Sequence, residues 1–496
     1  MQFLSTRAKD TKVSTSEAIV KGLSDDGGLF VPESFPSITA EELIKMQDMD
    51  YSERSAYVLA KFLSDFTYEE LCEYTKKAYS RFYGDDPCPL VAIDEQTYIL
   101  ELWHGPTCAF KDMALTLLPH LMTASRKKVG ENSKTLILVA TSGDTGKAAL
   151  EGFRDVEGCE IIVFYPSEGV SDMQKLQMMT QEGENVYVCA IEGNFDDAQS
   201  AVKTIFNDDN VKKMLLEKGY KLSSANSINW GRLVPQIAYY VSSYVDLLSS
   251  GEINMGDKIN FTVPSGNFGN ILAGYYAMQM GVPINKLICA SNMNNVLTDF
   301  FNTGKYDINR EFHKTMSPSM DILISSNLER LLFEISGRDD KYVASLMNNL
   351  KTKGYYELDY NKLRNGAPNF IGGSCSEDDT LDAISNFYET EDYLLDPHTA
   401  VAVGVYSNYV AETNDTTKTV IVSTASPYKF PADVYFALSE KDLSDDAINA
   451  SRKLESYTGV EIPEPLVGLE SRVVRFKDVV KKENIVNAVL DHINKK

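Results

Sequence analysis

The sequence predicts an α/β protein in which two α/β domains face each other across a cleft, with a mainly helical N-terminal domain attached. Three observations carry this prediction. From about residue 98 onward, short apolar runs alternate with helix-like stretches, which implies parallel βαβ units. Glycine-rich turns follow several of those runs. The first ~95 residues lack this rhythm.

In chain order, "SDDGGLFVPESFP" (Ser24 to Pro36) has turn residues on both sides of a short apolar run, as a hairpin or strand edge would. "ITAEELIKMQDM" and "YEELCEYTKKAYSRF" follow with the spacing of amphipathic helices. "TLILVA" (Thr135 to Ala140), "EIIVFYP" (Glu160 to Pro166) and "NVYVCAI" (Asn185 to Ile191) are predicted strands, each leading into a helix. The pattern resumes at "KINFTV" (Lys258 to Val263), "KLICAS" (Lys286 to Ser291) and "KTVIVSTAS" (Lys418 to Ser426). The stretch from Thr303 to Pro368 is more helical and less regular, a lid or extra helical packing. The expected division is an N-terminal domain over 1–95, a large α/β domain over 96–130 and 240–496, and a smaller one over 131–239.

The chain has 496 residues, 43% of them hydrophobic, and a formal net charge of -23. That charge disfavours nucleic acid and anionic membranes as partners, because phosphate backbones are bound by Lys and Arg. A small anionic ligand must therefore be held by a local pocket against the global field. The seven cysteines are scattered, without C-x-x-C spacing, which excludes a disulfide framework or a zinc site and points to a reducing compartment. With no secretory h-region and no apolar run of membrane-spanning length, the expectation is a cytoplasmic protein.

Ligands of open α/β sheets bind beyond the carboxyl ends of strands. After "TLILVA" comes "TSGDTGKAAL", where Ser142, Asp144 and Thr145 open a helix and its free N–H groups suit a carboxylate or phosphate. It is not a P-loop, since Thr141 stands where that motif needs glycine and Ala148 where it needs Ser or Thr. An ordinary βα turn capped by Asp144 or Thr145 explains it equally. After "INFTV" comes "PSGNFGN", in which Gly266, Asn267, Phe268, Gly269 and Asn270 lead into a helix. The G-x-x-G spacing is not the dinucleotide fingerprint, yet glycines here admit a phosphate or simply a tight turn. In "NSINWGR", Asn226, Ser227 and Arg232 offer two neutral groups and a guanidinium, a phosphate cradle or else a helix cap beside a surface arginine. "STAS" places Ser423, Thr424 and Ser426 at a strand end, where hydroxyls usually satisfy nearby backbone.

Lys111 lies in "ELWHGPTCAFKDMALTLLPHLM" (Glu101 to Met122), expected in the first turn of a helix starting near Ala109 and among apolar neighbours. The helix dipole and an apolar pocket both favour its neutral amine, which can attack an aldehyde. An aldehyde and a phosphate occur together in pyridoxal 5′-phosphate. Lys111 would take the aldehyde and one glycine loop the phosphate, which leaves a second anion cradle for a phosphorylated or carboxylated substrate.

The blocks "ELWHGPTCAFKD", "ATSGDTGKAA", "VPSGNFGN" and "DPHTAVAVG", with "SDDGGLFVPE" and "EGNFDDAQSAVK", together resemble the signature blocks of threonine synthases of the longer fungal and enterobacterial type. The resemblance implies the tryptophan-synthase-β-like fold, fold type II of pyridoxal-phosphate enzymes. It implies a lyase that turns O-phospho-L-homoserine and water into L-threonine and phosphate, the last step of threonine biosynthesis. It implies that Lys111 carries the cofactor and moves protons, that Gly266 to Asn270 hold the cofactor phosphate, and that Asp144 faces its 3′-oxygen. Thr424 would bond the pyridine nitrogen. Ser142, Asp144 and Thr145 would hold the substrate's carboxylate or phosphate, and Asn226, Ser227 and Arg232 its leaving phosphate. The chain departs from the family pattern at "TASPYKF", where Ser426 replaces a histidine while Thr424 and Lys429 persist; Trp103 and Cys108 stand where Phe and Leu are common. Cys108, His104 and His398 read as structural. A dehydratase or cysteine synthase on the same scaffold, needing no substrate-phosphate site, and a non-catalytic homologue are the competing readings. Monomer and homodimer remain open.

Overall fold

The computed structural model describes residues 1–495 except 169, 194 and 442–445; Asn194, inside the "EGNFDDAQSAVK" block, therefore lies outside the described residues. The predicted strands form two parallel layers. One sheet runs in the order Phe370–Ser374, Ile284–Ser291, Ile259–Pro264, Thr419–Ser423, Thr97–Glu101, Leu90–Ala92, parallel except for the last, antiparallel pair. The other runs Val479–Val480, Val186–Ile191, Cys159–Pro166, Lys134–Ala140, Tyr220–Ser223, all parallel. The central strands of both are almost wholly buried apolar runs, as strands covered by helices on both faces must be.

The N-terminal region is mainly helical and also holds a small antiparallel sheet, in which Phe3–Ser5 pairs with Ala8–Val13 and with Phe30–Pro32, a strand inside "SDDGGLFVPESFP". The strand Ala8–Val13 is exposed over most of its length, so its sequence carries no apolar alternation to read. One expectation needs correcting: the chain's end does not stay with the larger sheet. Val479–Val480 pairs with Ala190 and Ile191, and the helix Ile485–Asn494 buries Ile485, Val489 and Ile493 against the smaller one.

Trp230 joins the layers. It is fully buried and packs its ring on Phe3, Phe62 and Tyr276, from the N-terminal sheet, a helix of the N-terminal region and the helix Gly269–Gln279. The two parallel sheets turn the loops after their strands toward a common cavity, and this positions the site.

Candidate active site

Every site residue named from the sequence lines one cavity of about 1070 Å³. Lys111 is not in the first turn of a helix. It is the residue before the short helix Asp112–Leu115, and a second helix starts at Leu118. In the turn holding it, Thr107 donates its N–H and hydroxyl to the Asp112 carboxylate at 2.8 and 2.7 Å. Cys108 takes a left-handed conformation at φ 58°, and the loop is tied to the strand end by Phe110 N–H donating to the Thr424 carbonyl and Ser426 N–H to the Cys108 carbonyl. So short a helix lends the lysine little dipole, and burial is the cause that matters.

Burial pushes the Lys111 amine below its ordinary value, and Asp144 opposes this. Lys111 Nζ donates to Asp144 Oδ2 at 3.2 Å and to Ser319 Oγ at 3.3 Å. Asp144 is also buried. Its other oxygen lies 3.2 Å from Lys429 Nζ and accepts from Gln174 Nε2 at 2.8 Å. Burial alone would raise its pKa, but Lys111 and then Lys429 outweigh that and hold the carboxyl well below the usual carboxylate range. Asp144 does not cap its turn. Thr141 does, its hydroxyl accepting from Gly143 N–H at 3.0 Å and Gly146 N–H at 2.8 Å. Gly143 sits at φ 143°, and a Cβ there would lie 2.3 Å from Gln174 Oε1. Ser142 and Thr145 are half-buried on the cavity wall beside it.

The second loop enters the helix Gly269–Gln279 through Phe268 in the left-handed region at φ 63°. The Phe268 side chain stacks on Phe301 and Phe370, so only its backbone belongs to the cradle. Asn270 Oδ1 accepts from the hydroxyls of Tyr239 and Tyr240 at 2.6 and 2.7 Å, which fixes the amide and leaves buried Nδ2 without a protein partner. A Cβ on Gly266 would come within 2.9 Å of the Ser319 carbonyl.

Arg232 is no surface arginine. It is buried, donates one nitrogen to the Ala225 carbonyl at 2.7 Å, and leaves Nε without a protein partner. Burial lowers its pKa to about 10, so the guanidinium stays charged at neutral pH. The helix cap is Asn229, whose Oδ1 accepts from Gly231 N–H, so Asn226 and Ser227 stay half-buried on the cavity wall. Thr424 is buried there too. Buried donors without protein acceptors are rare. Two of them belong to residues that line one cavity beside a buried lysine, a set that suits an anionic ligand.

Several lining residues escaped the sequence reading. Ser319, Met320 and Asp321 come from the irregular stretch after Thr303. Ser319 Oγ donates to Asp144 Oδ2 at 3.2 Å, and its N–H donates to His398 Nε2 at 3.1 Å. His398 Nδ1 lies 2.8 Å from Asp396 Oδ1, which assigns the ring proton to Nδ1. This segment is pinned by Asn292 and Asn294, both of which donate to Asp321. The only local signal is the polar, Pro-containing turn "SPSMD". Ser426 caps the short turn that carries Lys429. His104 pairs with Glu101 outside the cavity lining. Cys108 is buried, its thiol pushed up to about 12 by that burial, and is no nucleophile. Among the described residues, no group of His, Cys, Asp and Glu could hold a metal, and no helix is long and apolar enough to cross a membrane.

The chain also matches known proteins over most of its length. A family model described as "Threonine synthase N terminus" matches residues 2–79, one described as "Pyridoxal-phosphate dependent enzyme" matches 83–425, and "Threonine synthase, C-terminal" matches 399–493. The threonine synthase of Pseudomonas aeruginosa is 38% identical over 435 residues, 87% of this chain and 89% of its own length. Threonine synthase-like 1 of Homo sapiens is 40% identical over 92% of this chain, which spans only 63% of that relative's length. The crystal structure of PLP-bound threonine synthase from Brucella melitensis superposes with a TM-score of 0.87 at 36% identity, covering 99% of each chain.

Proposed function

The chain belongs to the threonine synthase family of pyridoxal-phosphate-dependent enzymes, and from that membership we propose that it converts O-phospho-L-homoserine and water into L-threonine and inorganic phosphate. The observation that carries the substrate is Arg232, a buried guanidinium with an unpartnered Nε on a residue that lines the same cavity as a buried lysine. A dehydratase or cysteine synthase has no use for such a group.

The residues present fit pyridoxal phosphate. The lowered Lys111 amine suits its aldehyde, and the Gly266–Asn270 loop with the free Asn270 amide suits its phosphate. Thr424 is assigned to the pyridine nitrogen and Asp144 to the 3′-oxygen. Bound there, the cofactor supplies an electron sink for the carbanion at the substrate's α carbon.

Lys111 Nζ takes the proton from the α carbon and then one from the β carbon as phosphate leaves the γ carbon, and it returns protons to the γ carbon before water adds and to the α carbon afterwards. Ser142 and Thr145, with the first-turn N–H groups of the helix Asp144–Phe153, hold the substrate carboxylate. Arg232, Asn226 and Ser227 hold the γ-phosphate and take up the charge that develops as it departs. Phosphate retained on Arg232 then stays beside the water that adds at the β carbon. Ser319, joined to Lys111 and Asp144, covers the reacting end of the cavity and excludes bulk water.

The test is phosphate release from O-phospho-L-homoserine with the amino-acid product identified in the same tube. Wild type is expected to yield phosphate and threonine in equal amounts, and Lys111→Ala neither. Arg232→Lys keeps a charge but not the fork, and is expected to lose at least about tenfold in kcat/KM. Phosphate accompanied by 2-oxobutanoate in place of threonine would leave the scaffold reading standing and end the synthase reading.

A further inference from the structure

A fully buried arginine lies outside the cavity. Arg330 stands in the first turn of the helix Leu328–Ile335 and bonds three oxygens, none of them a carboxylate. Nε donates to the Phe30 carbonyl at 2.9 Å, Nη2 to the Ile228 carbonyl at 2.6 Å, and Nη1 to Asn327 Oδ1. Each acceptor belongs to a different part of the molecule. Phe30 is in the N-terminal sheet. Ile228 follows Asn226 and Ser227 directly, in the loop proposed to hold the substrate phosphate. Asn327 grips the other loop: its N–H and its Nδ2 both donate to the Asn267 carbonyl, at 3.1 and 3.0 Å.

The two loops meet at this point. A Cβ added to Gly269 would lie 3.4 Å from Asn327 Nδ2 and 3.8 Å from Ser227 Cβ. The residue next to Arg330 anchors the arrangement from behind, because Glu329 accepts from the Thr6 hydroxyl at 2.6 Å and from Arg7 at 2.8 and 2.7 Å. A guanidinium is planar and its donors leave in fixed directions, so three bonds to three segments set their mutual distances as a point charge could not.

We infer that Arg330 is a positioning residue that sets the span between the two anion-binding loops, with the N-terminal sheet as its abutment. This rests on the reading of those loops as cradles for cofactor phosphate and substrate phosphate. The two phosphates sit on one rigid molecule pair during turnover, so their separation matters to within fractions of an ångström. Burying an arginine on neutral acceptors costs stability that a leucine would not. Geometry is what the arginine adds.

The test uses the holoenzyme and three variants, Arg330→Lys, Arg330→Met and Asn327→Ala. Cofactor retention is measured on dilution of the holoenzyme. The Asn226–Ser227 loop is probed with inorganic phosphate by calorimetric titration, which does not depend on turnover. All measurements are made well below each variant's melting temperature. Arg330→Lys keeps the charge and loses the fork. It is expected to weaken both pyridoxal phosphate and inorganic phosphate by about tenfold, and to raise KM for O-phospho-L-homoserine more than it lowers kcat. Asn327→Ala releases the Asn267 carbonyl and leaves the Ile228 bond in place, so it is expected to weaken the cofactor more than the phosphate. Arg330→Lys with a lowered melting temperature but wild-type affinity for both ligands would overturn the inference and make Arg330 an interior tether only. If Arg330→Met does not fold, the other two variants decide. Wild type that binds both probes but makes no threonine would end the activity reading while leaving the strut testable; wild type that binds neither would end both.

Discussion

At the scale of single residues, the central fact is that two lysines share one carboxylate. Lys111 and Lys429 each stand 3.2 Å from an oxygen of Asp144, all three groups being buried. Lys429 also donates to the Thr107 carbonyl at 3.0 Å and to Gln177. With two cations on one anion, neither lysine is fully compensated, and Lys429 is among the groups that lower the Lys111 amine. Lys429→Met leaves Asp144 and Lys111 as a matched pair, which favours the charged, unreactive amine. The rate at which cofactor-stripped protein takes up pyridoxal phosphate, followed against pH, should then have its midpoint moved upward by about one unit. An unmoved midpoint would mean that burial and Arg232 poise Lys111 without help from Lys429. Lys111 could be found from sequence because apolar neighbours and a Gly-Pro turn surround it locally. Its partners Ser319 and Lys429 could not, since they lie 208 and 318 residues further along the chain.

At the scale of elements, apolar spacing marks the helices at Ala40 and Tyr68 in the sequence, and the structure adds another between them at Tyr51. The three N-terminal helices that begin at Ala40, Tyr51 and Tyr68 are each opened by a capping box, Thr39 with Glu42, Asp50 with Glu53 and Thr67 with Glu70. Glu42 also reaches out of its own helix, accepting from Lys61 Nζ at 2.7 Å and the Tyr57 hydroxyl at 2.6 Å. Burial would raise this carboxyl, but Lys61, Tyr57 and the Thr39 N–H together lower it to about 2. A depressed folded pKa means stability that is present above the ordinary value of 4.5 and is lost as pH falls toward 2. Glu42→Gln should therefore be less stable than wild type at pH 7, and should lose less melting temperature between pH 5 and pH 3. Parallel curves for the two proteins over that range would refute the assignment. The strand Ala8–Val13 was missed for the converse reason, since an exposed strand of a small antiparallel sheet buries too little to mark its sequence.

At the scale of the whole molecule, the chain closes on itself. The strand Val479–Val480 returns to the smaller sheet more than 250 residues after that sheet's previous strand, Tyr220–Ser223, and the helix after it covers Leu136, Ile162 and their neighbours. Removing residues 478–496 uncovers that face and deletes three buried apolar side chains, Ile485, Val489 and Ile493. At roughly 1.5–3 kcal/mol for each buried side chain, the loss is comparable with the net stability of a domain. The truncated protein is expected to melt markedly lower and to bind a hydrophobic dye at temperatures where the full chain does not. A truncated protein with an unchanged melting curve would show that the sheet face does not need this cover.

The sequence by itself determined the elements and the chemistry written into single loops: the central strands, the capped helices, the lysine in its apolar turn, the two glycine- and hydroxyl-bearing turns and the lone arginine after "NSINW". These are local properties, set by periodicity, turn geometry and the company each residue keeps within a few positions. The tertiary structure alone decided which groups face one another: Lys429 against Asp144, His398 under Ser319, Arg330 between the two loops, and the C-terminal strand on the smaller sheet. The physical reason is that periodicity records how deeply a side chain is buried, while a charge or donor is satisfied by whichever partner the fold brings within hydrogen-bonding reach, and that partner leaves no trace in the neighbouring sequence.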